Sequence, residues 1–429
     1  METAEKNSQA KPESSQPGQR STSHPLRNGQ PVCIEPDLDF IHALRKRGID
    51  IYKKCIQCGT CAATCTVSPD SRPFPRKEMA WAVWGMKDRL MKDPDVWLCF
   101  QCNDCSTRCP RGARPGEVLG AVRRESVIHY TFPRFLGKWV NHAKYIPLLL
   151  GFPAVLLGLL VLFREPIQNA LGVPPVTGDN IVYSYSSLFH QRVLNVFFFF
   201  FAALVLLASV TGITRFWRAL KEGAAVNGID MPVKGLWPSI AAALKRIITH
   251  HNFAACTKAR WRFLSHVFIF FGFLSLVLVT SWVITATINP LLRREFIYPF
   301  AFWDPWKMLA NMGGAALVAG CVLMIWSRLT NSAITGSGTY PDWAFVWTLL
   351  LVVVTGFLTE VMHYLRMEPH RHVIYFIHLM FAFALLVYMP YSKFAHVIYR
   401  TTALIFAEYS GRRNEAGREA AGKAERSHE

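Results

Sequence analysis

The chain has 429 residues, a formal net charge of +18 and a composition that is 51% hydrophobic. Its length predicts two or more domains. The excess of lysine and arginine does not predict a nucleic-acid partner, because these residues are concentrated between and after long apolar runs, where charges orient membrane spans.

Residues 1–30 are rich in serine, glutamine, proline and lysine and show no apolar periodicity, which is typical of a disordered tail. The first apolar run of membrane length begins near residue 146, too late for a cleaved leader. We therefore expect the cysteines that precede it to remain in the cytoplasm. In a reducing compartment, clustered cysteines bind metal more often than they form disulfides.

Two copies of one cysteine spacing occupy residues 55–109 and hold eight of the eleven cysteines of the chain. Each copy has the pattern C-x2-C-x2-C-x3-C, and Pro110 follows the second. In two-cluster ferredoxins with this spacing, the fourth cysteine of each run ligates the other 4Fe–4S cluster. The first predicted cluster takes Cys55, Cys58, Cys61 and Cys109. The second predicted cluster takes Cys99, Cys102, Cys105 and Cys65.

Zinc sites and disulfides are the alternative interpretations of these cysteines. Zinc motifs usually pair two C-x2-C units, and a compact disulfide framework is not expected in the cytoplasm. Cys33, Cys256 and Cys321 lack the repeated spacing and are expected to be structural. Helical patterns at 77–91 and 117–129 complete a predicted 4Fe–4S ferredoxin-type domain of short helices and loops over residues 31–130.

Residues 131–405 are predicted to form a transmembrane cytochrome b domain, because six segments are long and apolar enough to cross a bilayer. The predicted spans are 146–163, 190–212, 263–288, 307–327, 342–364 and 371–396. Lysine and arginine are abundant before the first span, between the second and third, and after the sixth. The positive-inside rule then places both termini and the cysteine domain in the cytoplasm of a multi-pass inner-membrane protein.

The predicted fold class is therefore all-α, a small helical two-cluster domain followed by a six-span bundle. Residues 236–250 have the amphipathic pattern of a helix that lies in the membrane interface. Residues 406–429 are predicted to be a charged C-terminal tail.

Ionisable residues inside membrane spans are candidates for function. His266 lies in predicted span three, and His378 and His396 lie 18 residues apart in predicted span six. On one helix these two histidines share a face and are separated by about 27 Å, at ~1.5 Å per residue. Because spans three and six run in opposite directions, His266 and His396 reach a similar cytoplasmic depth. They are the predicted axial ligands of one b-type haem.

His378 is a candidate ligand of a second haem b in the outer half of the membrane, with His363 or His190 as its partner. Glu360 and His363 are one helical turn apart at the outer edge and form a candidate proton-exchange pair for a quinone. An interfacial ion pair is the alternative role for Glu360.

Residues 55–125 resemble the iron–sulfur C subunits of heterodisulfide reductases, through CIQCGTCAATC and CFQCNDCSTRCPRGARPGEVL. The last two hundred or so residues resemble the cytochrome b (gamma) subunit of respiratory nitrate reductases, through the context of His266 and a Pro-Tyr-Ser-Lys stretch between His378 and His396. In that family one span carries two haem histidines ten residues apart. Here Leu276 occupies the second position, which leaves the partner of His378 open.

The fusion of these two modules resembles the C subunits of quinone-interacting membrane-bound oxidoreductases of sulfur-metabolising prokaryotes. The resemblance implies a complex with two soluble flavin and iron–sulfur subunits, in which this chain is the electron-transfer and quinone-reactive subunit. It also implies that menaquinone is the substrate and that adenylylsulfate reductase is a redox partner.

The alternative function is a membrane anchor and electron-transfer subunit of a heterodisulfide reductase-like complex. The catalytic subunit of that family carries C-C-G sequences for a noncubane cluster. This chain has no adjacent cysteine pair, so disulfide chemistry would belong to another subunit. A transporter is not predicted, because the spans lack paired broken helices.

Overall fold

A computed structural model of the chain describes residues 35–47, 49–69, 72–172, 185–250, 260–289, 291, 300–331, 338–368 and 370–412. The predicted N-terminal tail, Cys33 and Cys256 lie outside these residues. All regular structure in the described part is helical, which confirms the all-α prediction.

The cysteine-rich part consists of short helices joined by loops. They are α1 (Leu38–Lys46), α2 (Thr60–Thr64), α3 (Arg76–Val83), α4 (Lys87–Met91), α5 (Asp95–Leu98), α6 (Asp104–Thr107), α7 (Pro115–Tyr130) and α8 (Arg134–Val140). A 3-10 turn at Asp50–Lys54 precedes the first cysteine. The helix predicted at 77–91 is two helices, because Gly85 between them adopts a φ of 67°.

Six of the following helices are long and apolar enough to span a membrane, and this confirms the predicted number. They are α9 (Ile146–Leu162), α11 (Gln191–Val226), α13 (Arg260–Ile288), α14 (Pro305–Thr330), α15 (Tyr340–Tyr364) and α16 (His370–Val387). The remaining helices are α10 (Arg164–Ala170), α12 (Leu236–Thr249) and α17 (His396–Tyr409). Helix α11 extends well beyond the predicted end of span two at residue 212.

The prediction of one continuous helix through His378 and His396 is wrong. Helix α16 ends at Val387, two 3-10 turns follow, and His396 begins the separate helix α17. Pro390 explains the break, because proline has no N–H to donate and its ring clashes with the preceding helical turn. The two histidines therefore do not share the face of one helix, and the 27 Å argument does not apply.

The cysteine domain and helix α17 share one hydrophobic core. Trp97 of α5 stacks on Tyr399 of α17, with ring centroids 5.3 Å apart, and Phe216 of α11 packs against both rings. Helix α17 continues to Tyr409, and Arg412 beyond it is buried. The boundary predicted for the charged tail, residue 406, therefore lies inside a folded helix.

A buried ion-pair network lies in the cysteine domain. The Lys77 ammonium is 3.2 Å from Glu78, 2.5 Å from Asp93 and 2.7 Å from Asp95, and Arg412 also pairs with Asp95. Burial raises the pKa of Glu78 and Asp93, whereas at Asp95 the charges of Lys77 and Arg412 outweigh burial and lower the pKa. The three carboxylates have the spacing of a metal site, but the ammonium already occupies the cation's position.

We expect Lys77→Met to lower the free energy of unfolding by about 3–5 kcal/mol, because it leaves three buried carboxylates without their shared cation. The measurement is chemical denaturation followed by tryptophan fluorescence. Lys54→Met, at an exposed position, is the matched control. Equal denaturation midpoints for the two variants would contradict the stabilising role of the network.

Candidate functional site

The two cysteine loops have the same backbone turn. Gln57 and Gln101 occupy equivalent positions and adopt φ values of 58° and 54°. Gly59 and Asn103, each directly after the second cysteine of a run, adopt φ values of 83° and 66°. Glycine and asparagine tolerate this left-handed region best, which is why these residues fit there. The repeat in the sequence is therefore also a repeat in backbone geometry.

The thiols of the first predicted set line one pocket of about 350 Å³. The set consists of Cys55, Cys58, Cys61 and Cys109. Arg76 and Pro110 are among the other residues that line the pocket. The fourth ligand predicted to cross over from the second run is thus brought to the first run.

The thiols of the second predicted set also lie together. Cys65 interacts electrostatically with Cys99 and Cys102, and Cys105 interacts with all three. Cys105 also interacts with Cys61 of the first set, so the two groups of thiols are neighbours. Both arrangements fit a pair of adjacent cubane clusters with exchanged fourth ligands.

Backbone N–H groups donate to the cysteine sulfurs. Gln101 N–H donates to Cys99 Sγ at 3.2 Å, and Ala113 N–H donates to Cys109 Sγ at 3.3 Å. Hydrogen bonds of this kind stabilise thiolate ligands and tune the reduction potential of an iron–sulfur cluster. Their presence at both cluster sites is a second feature that suits the residues to iron–sulfur ligation.

The ionisation of the clustered thiols depends on burial. Burial, with a smaller effect of neighbouring thiols, raises the pKa of Cys61 to about 11 and of Cys65 to about 12. The same causes raise the pKa of Cys105. Cys58 is exposed, and a hydrogen bond with Thr60 lowers its pKa. Bound iron would supply the positive charge that allows the buried thiols to ionise together.

His266 and His396 lie close enough to interact electrostatically, and their role as ligands of one haem stays a prediction. His396 Nδ1 donates to the Lys393 carbonyl at 2.8 Å, which assigns the proton to Nδ1 and leaves Nε2 to act as a ligand. Burial, with nearby Lys393 and Arg400, lowers the pKa of His396 to about 4, so the ring is neutral as metal ligation requires.

Arg400, one turn after His396, connects this histidine to the second cysteine loop. Its guanidinium donates to the carbonyls of Cys99 at 2.7 Å and Trp97 at 3.2 Å. It also lies over the ring of Phe100, with Cζ 4.1 Å from the ring centroid. A single side chain of α17 thus fixes the loop that leads into the second cluster site.

Arg262, one turn before His266 on α13, makes the corresponding contact from the other side. It donates to the carbonyl of Gln101 in the same cysteine loop. Sequence reasoning missed both arginines as site residues, although their i±4 spacing from the two histidines was available as a signal. The second cysteine loop therefore rests on both histidine-bearing helices.

His250 is a neighbour of His266 that sequence reasoning also missed. It terminates α12 in the left-handed conformation, with a φ of 49°, and its ring centroid lies 5.2 Å from that of His266. The helix predicted at 236–250 is confirmed as a helix. His250, the residue that caps its C-terminus, lies beside His266.

His378 is held against α15. Its Nδ1 lies 3.0 Å from the Val352 carbonyl and 3.2 Å from Thr355 Oγ1. Gly356 leaves the room for the ring, because a Cβ there would lie 3.2 Å from His378 Cε1. The backbone carbonyl again orients the imidazole through Nδ1, as in histidines that ligate metals through Nε2.

The two candidate partners of His378 have other contacts. The ring of His363 lies 5.8 Å from that of Tyr185. His190 caps the start of α11 by accepting the Arg192 N–H at 3.2 Å. His363 and His190 both remain predicted alternatives as the partner of His378.

Glu360 is part of an ion pair between neighbouring spans. Its carboxylate lies 2.9 Å from Lys307 Nζ and accepts a hydrogen bond from Asn311 at 3.1 Å. The geometry agrees with the ion-pair alternative for Glu360. Its proton-exchange role with His363 remains a prediction.

The crossed ligand sets predict distinct effects for the fourth cysteines. We expect Cys65→Ser to remove the cluster held by the second run, and Cys109→Ser the cluster held by the first. In each case iron and acid-labile sulfide fall from about eight to about four per chain. Metal analysis and electron paramagnetic resonance measure the loss, and Cys321→Ser, buried among apolar residues, is the control. Zinc in place of iron would contradict both assignments.

Comparisons with known proteins agree with the cysteine geometry. Residues 51–113 match the 4Fe-4S dicluster domain, which supports two 4Fe–4S clusters. The C subunit of the H(2):CoB-CoM heterodisulfide,ferredoxin reductase of Methanothermobacter marburgensis is 34% identical over 21% of this chain and 49% of its own length. A protein of Archaeoglobus profundus that is similar to heterodisulfide reductase C subunits is 35% identical over 19% of this chain and 44% of its own length. The chain covers less than half of either relative.

The membrane half matches a family that sequence reasoning did not name. Citrate utilization protein B of Escherichia coli is 28% identical over 72% of this chain and 80% of its own length. No solved structure matches the chain. The resemblance of this half to the nitrate reductase gamma subunit stays a prediction. Residues 194–417, just over half of the chain, match the family described as citrate utilization protein B, and the chain therefore belongs to that family.

Proposed function

We propose that the protein is the membrane subunit of an oxidoreductase complex and transfers electrons between a quinone pool and a soluble partner. The route uses haem b and two 4Fe–4S clusters. The observation that carries the proposal is that Arg262 and Arg400, each one helical turn from His266 or His396, donate to carbonyls of the second cysteine loop. This contact supports a route in which a cluster and a haem held by these histidines are neighbours.

Residues of this chain position the cofactors along the proposed route. The cofactors supply reversible one-electron chemistry, and the protein supplies their ligands and spacing. The two arginines fix the distance between the cysteine loop and the histidines. The Lys393 carbonyl holds the His396 ring in one tautomer, and Cys105, beside Cys61, brings the two cluster sites together.

The names of the relatives support a proposal for the partner. The iron–sulfur part matches proteins named as heterodisulfide reductase C subunits, so we propose that soluble flavin and iron–sulfur subunits dock on the cysteine domain. The resemblance to quinone-interacting oxidoreductases extends the proposal to menaquinone and to adenylylsulfate reductase. In this arrangement the cysteine domain faces the cytoplasm.

We place the quinone site at the opposite end of the bundle from the cysteine loops. Glu360 and His363 lie at that end, near the C-terminus of α15, and His378 lies deeper in the membrane as the ligand of a second haem. Tyr185, beside His363, donates its hydroxyl to the Thr359 carbonyl at 2.6 Å and orders this edge. These polar groups suit proton exchange at a quinone.

The histidine assignment tests the proposed function. The full chain, purified in mild detergent, is expected to show a low-spin b-type absorption band on reduction. His266→Ala and His396→Ala should each remove one haem per chain in the pyridine haemochrome assay, because each removes one axial ligand. His142→Ala, at an exposed position, is the control. The wild-type chain without haem, or variants with full haem content, would overturn the proposal.

A second measurement addresses the quinone end. If Glu360 exchanges protons with quinol, Glu360→Gln should slow quinol-dependent haem reduction by roughly 10²-fold. Glu165→Gln, an exposed acid on α10, is the matched control. A Glu360→Gln rate equal to that of the wild type would leave Glu360 with its ion-pair role alone.

A further inference from the structure

A polar pocket lies between the cysteine domain and the ends of the membrane helices. Its walls come from α1, the second cysteine loop, α7 and the adjoining ends of α13, α14 and α15. Five cations line it, Arg47, Arg124, Arg262, Arg328 and Lys393. Within the described part of the chain, only two acids line it, Glu117 and Asp342.

The acids near this pocket already have cationic partners. Asp342 pairs with Lys393, and Glu125, just outside the lining, pairs with Arg47. Glu117 pairs with Arg114, which does not line the pocket. The pocket therefore keeps an excess of positive charge after these pairs are formed.

The other three arginines donate to neutral acceptors. Arg124 donates to Thr339 Oγ1 at 3.2 Å, Arg328 to the main-chain carbonyl of Asp342 at 3.0 Å, and Arg262 to the Gln101 carbonyl. Among the described residues, none of the three forms an ion pair with a carboxylate. Burial lowers the pKa of Arg124 to about 10. The three guanidinium groups share one nearby carboxylate, Asp342, which already pairs with Lys393, and a bound anion would offset the cost of burying their remaining charge.

Tryptophans mark the membrane side of this pocket. Trp261 and Trp326 form an edge-on pair with ring centroids 5.7 Å apart, and each is about half exposed, at 50% and 46%. Trp343 lies beneath the Arg328 guanidinium, 5.4 Å from its ring centroid. Tryptophans at helix ends are typical of the level of the lipid headgroups. The cationic pocket therefore lies where phospholipid phosphates are abundant.

We propose that Arg124, Arg262 and Arg328 form a binding site for a phosphate group, supplied by the headgroup of an anionic phospholipid. Guanidinium groups bind phosphate through paired, charge-assisted hydrogen bonds, and basic pockets between membrane helices bind such headgroups. Arg124 belongs to the cysteine domain and the other two belong to membrane helices. A phosphate bound by all three joins the two halves of the protein, whatever the electron route is.

The test uses the full chain, purified in neutral detergent and stripped of lipid. The unfolding temperature is measured with phosphatidylglycerol, with phosphatidylcholine of the same acyl chains, and with inorganic phosphate. We expect a saturable rise with phosphatidylglycerol alone. An equal rise with inorganic phosphate supports a phosphate site filled from solution instead. No rise with either, or an equal rise with phosphatidylcholine, overturns the proposal.

A double variant tests whether these arginines bind the lipid headgroup. Arg124→Gln with Arg328→Gln should raise the half-saturating concentration of phosphatidylglycerol roughly tenfold or more, because two charge-assisted contacts are lost. The control is Arg134→Gln with Arg192→Gln, which removes the same charge from exposed positions that do not line the pocket. Arg328→Lys keeps the charge and should retain most of the rise. Unchanged phosphatidylglycerol binding in the double variant overturns the site.

Discussion

The contact between Arg400 and the carbonyls of residues 97–99 is the interaction on which the rest of the arrangement depends. A loop that wraps a cluster has no strand partner, so its carbonyls need donors from elsewhere. Here the donor is the Arg400 guanidinium of α17, and Arg262 completes the contact from α13. The position of the cysteine loop is therefore set by the membrane half of the chain and by its own spacing.

Much of this structure can be predicted from local patterns in the sequence. The two ligand sets follow from a repeated spacing, and the structure groups the thiols as that spacing predicts. The six spans follow from length and apolarity. The apolar pattern predicts one span through residue 396, whereas the helix ends at Val387, just before Pro390. A proline inside an apolar run is a local signal, and it was available from the sequence alone.

Long-range contacts could not be predicted in this way. His266 and His396 are neighbours, but His396 reaches that place by starting a new helix and not by continuing α16. His250 joins them because a left-handed residue ends α12, which an amphipathic pattern does not reveal. The bonds from Arg262 and Arg400 join residues 161 and 301 positions apart, and no spacing rule encodes such pairs.

The burial of Arg412 against Asp95 has a consequence for biogenesis. The cysteine domain precedes the six spans in the chain, yet the side chains that close it come from α17 and the residues after it. Domains usually fold in order of synthesis, N-terminal ones first. This domain cannot reach its final packing until the six described spans and α17 have been made, so the iron–sulfur module is completed only after their synthesis.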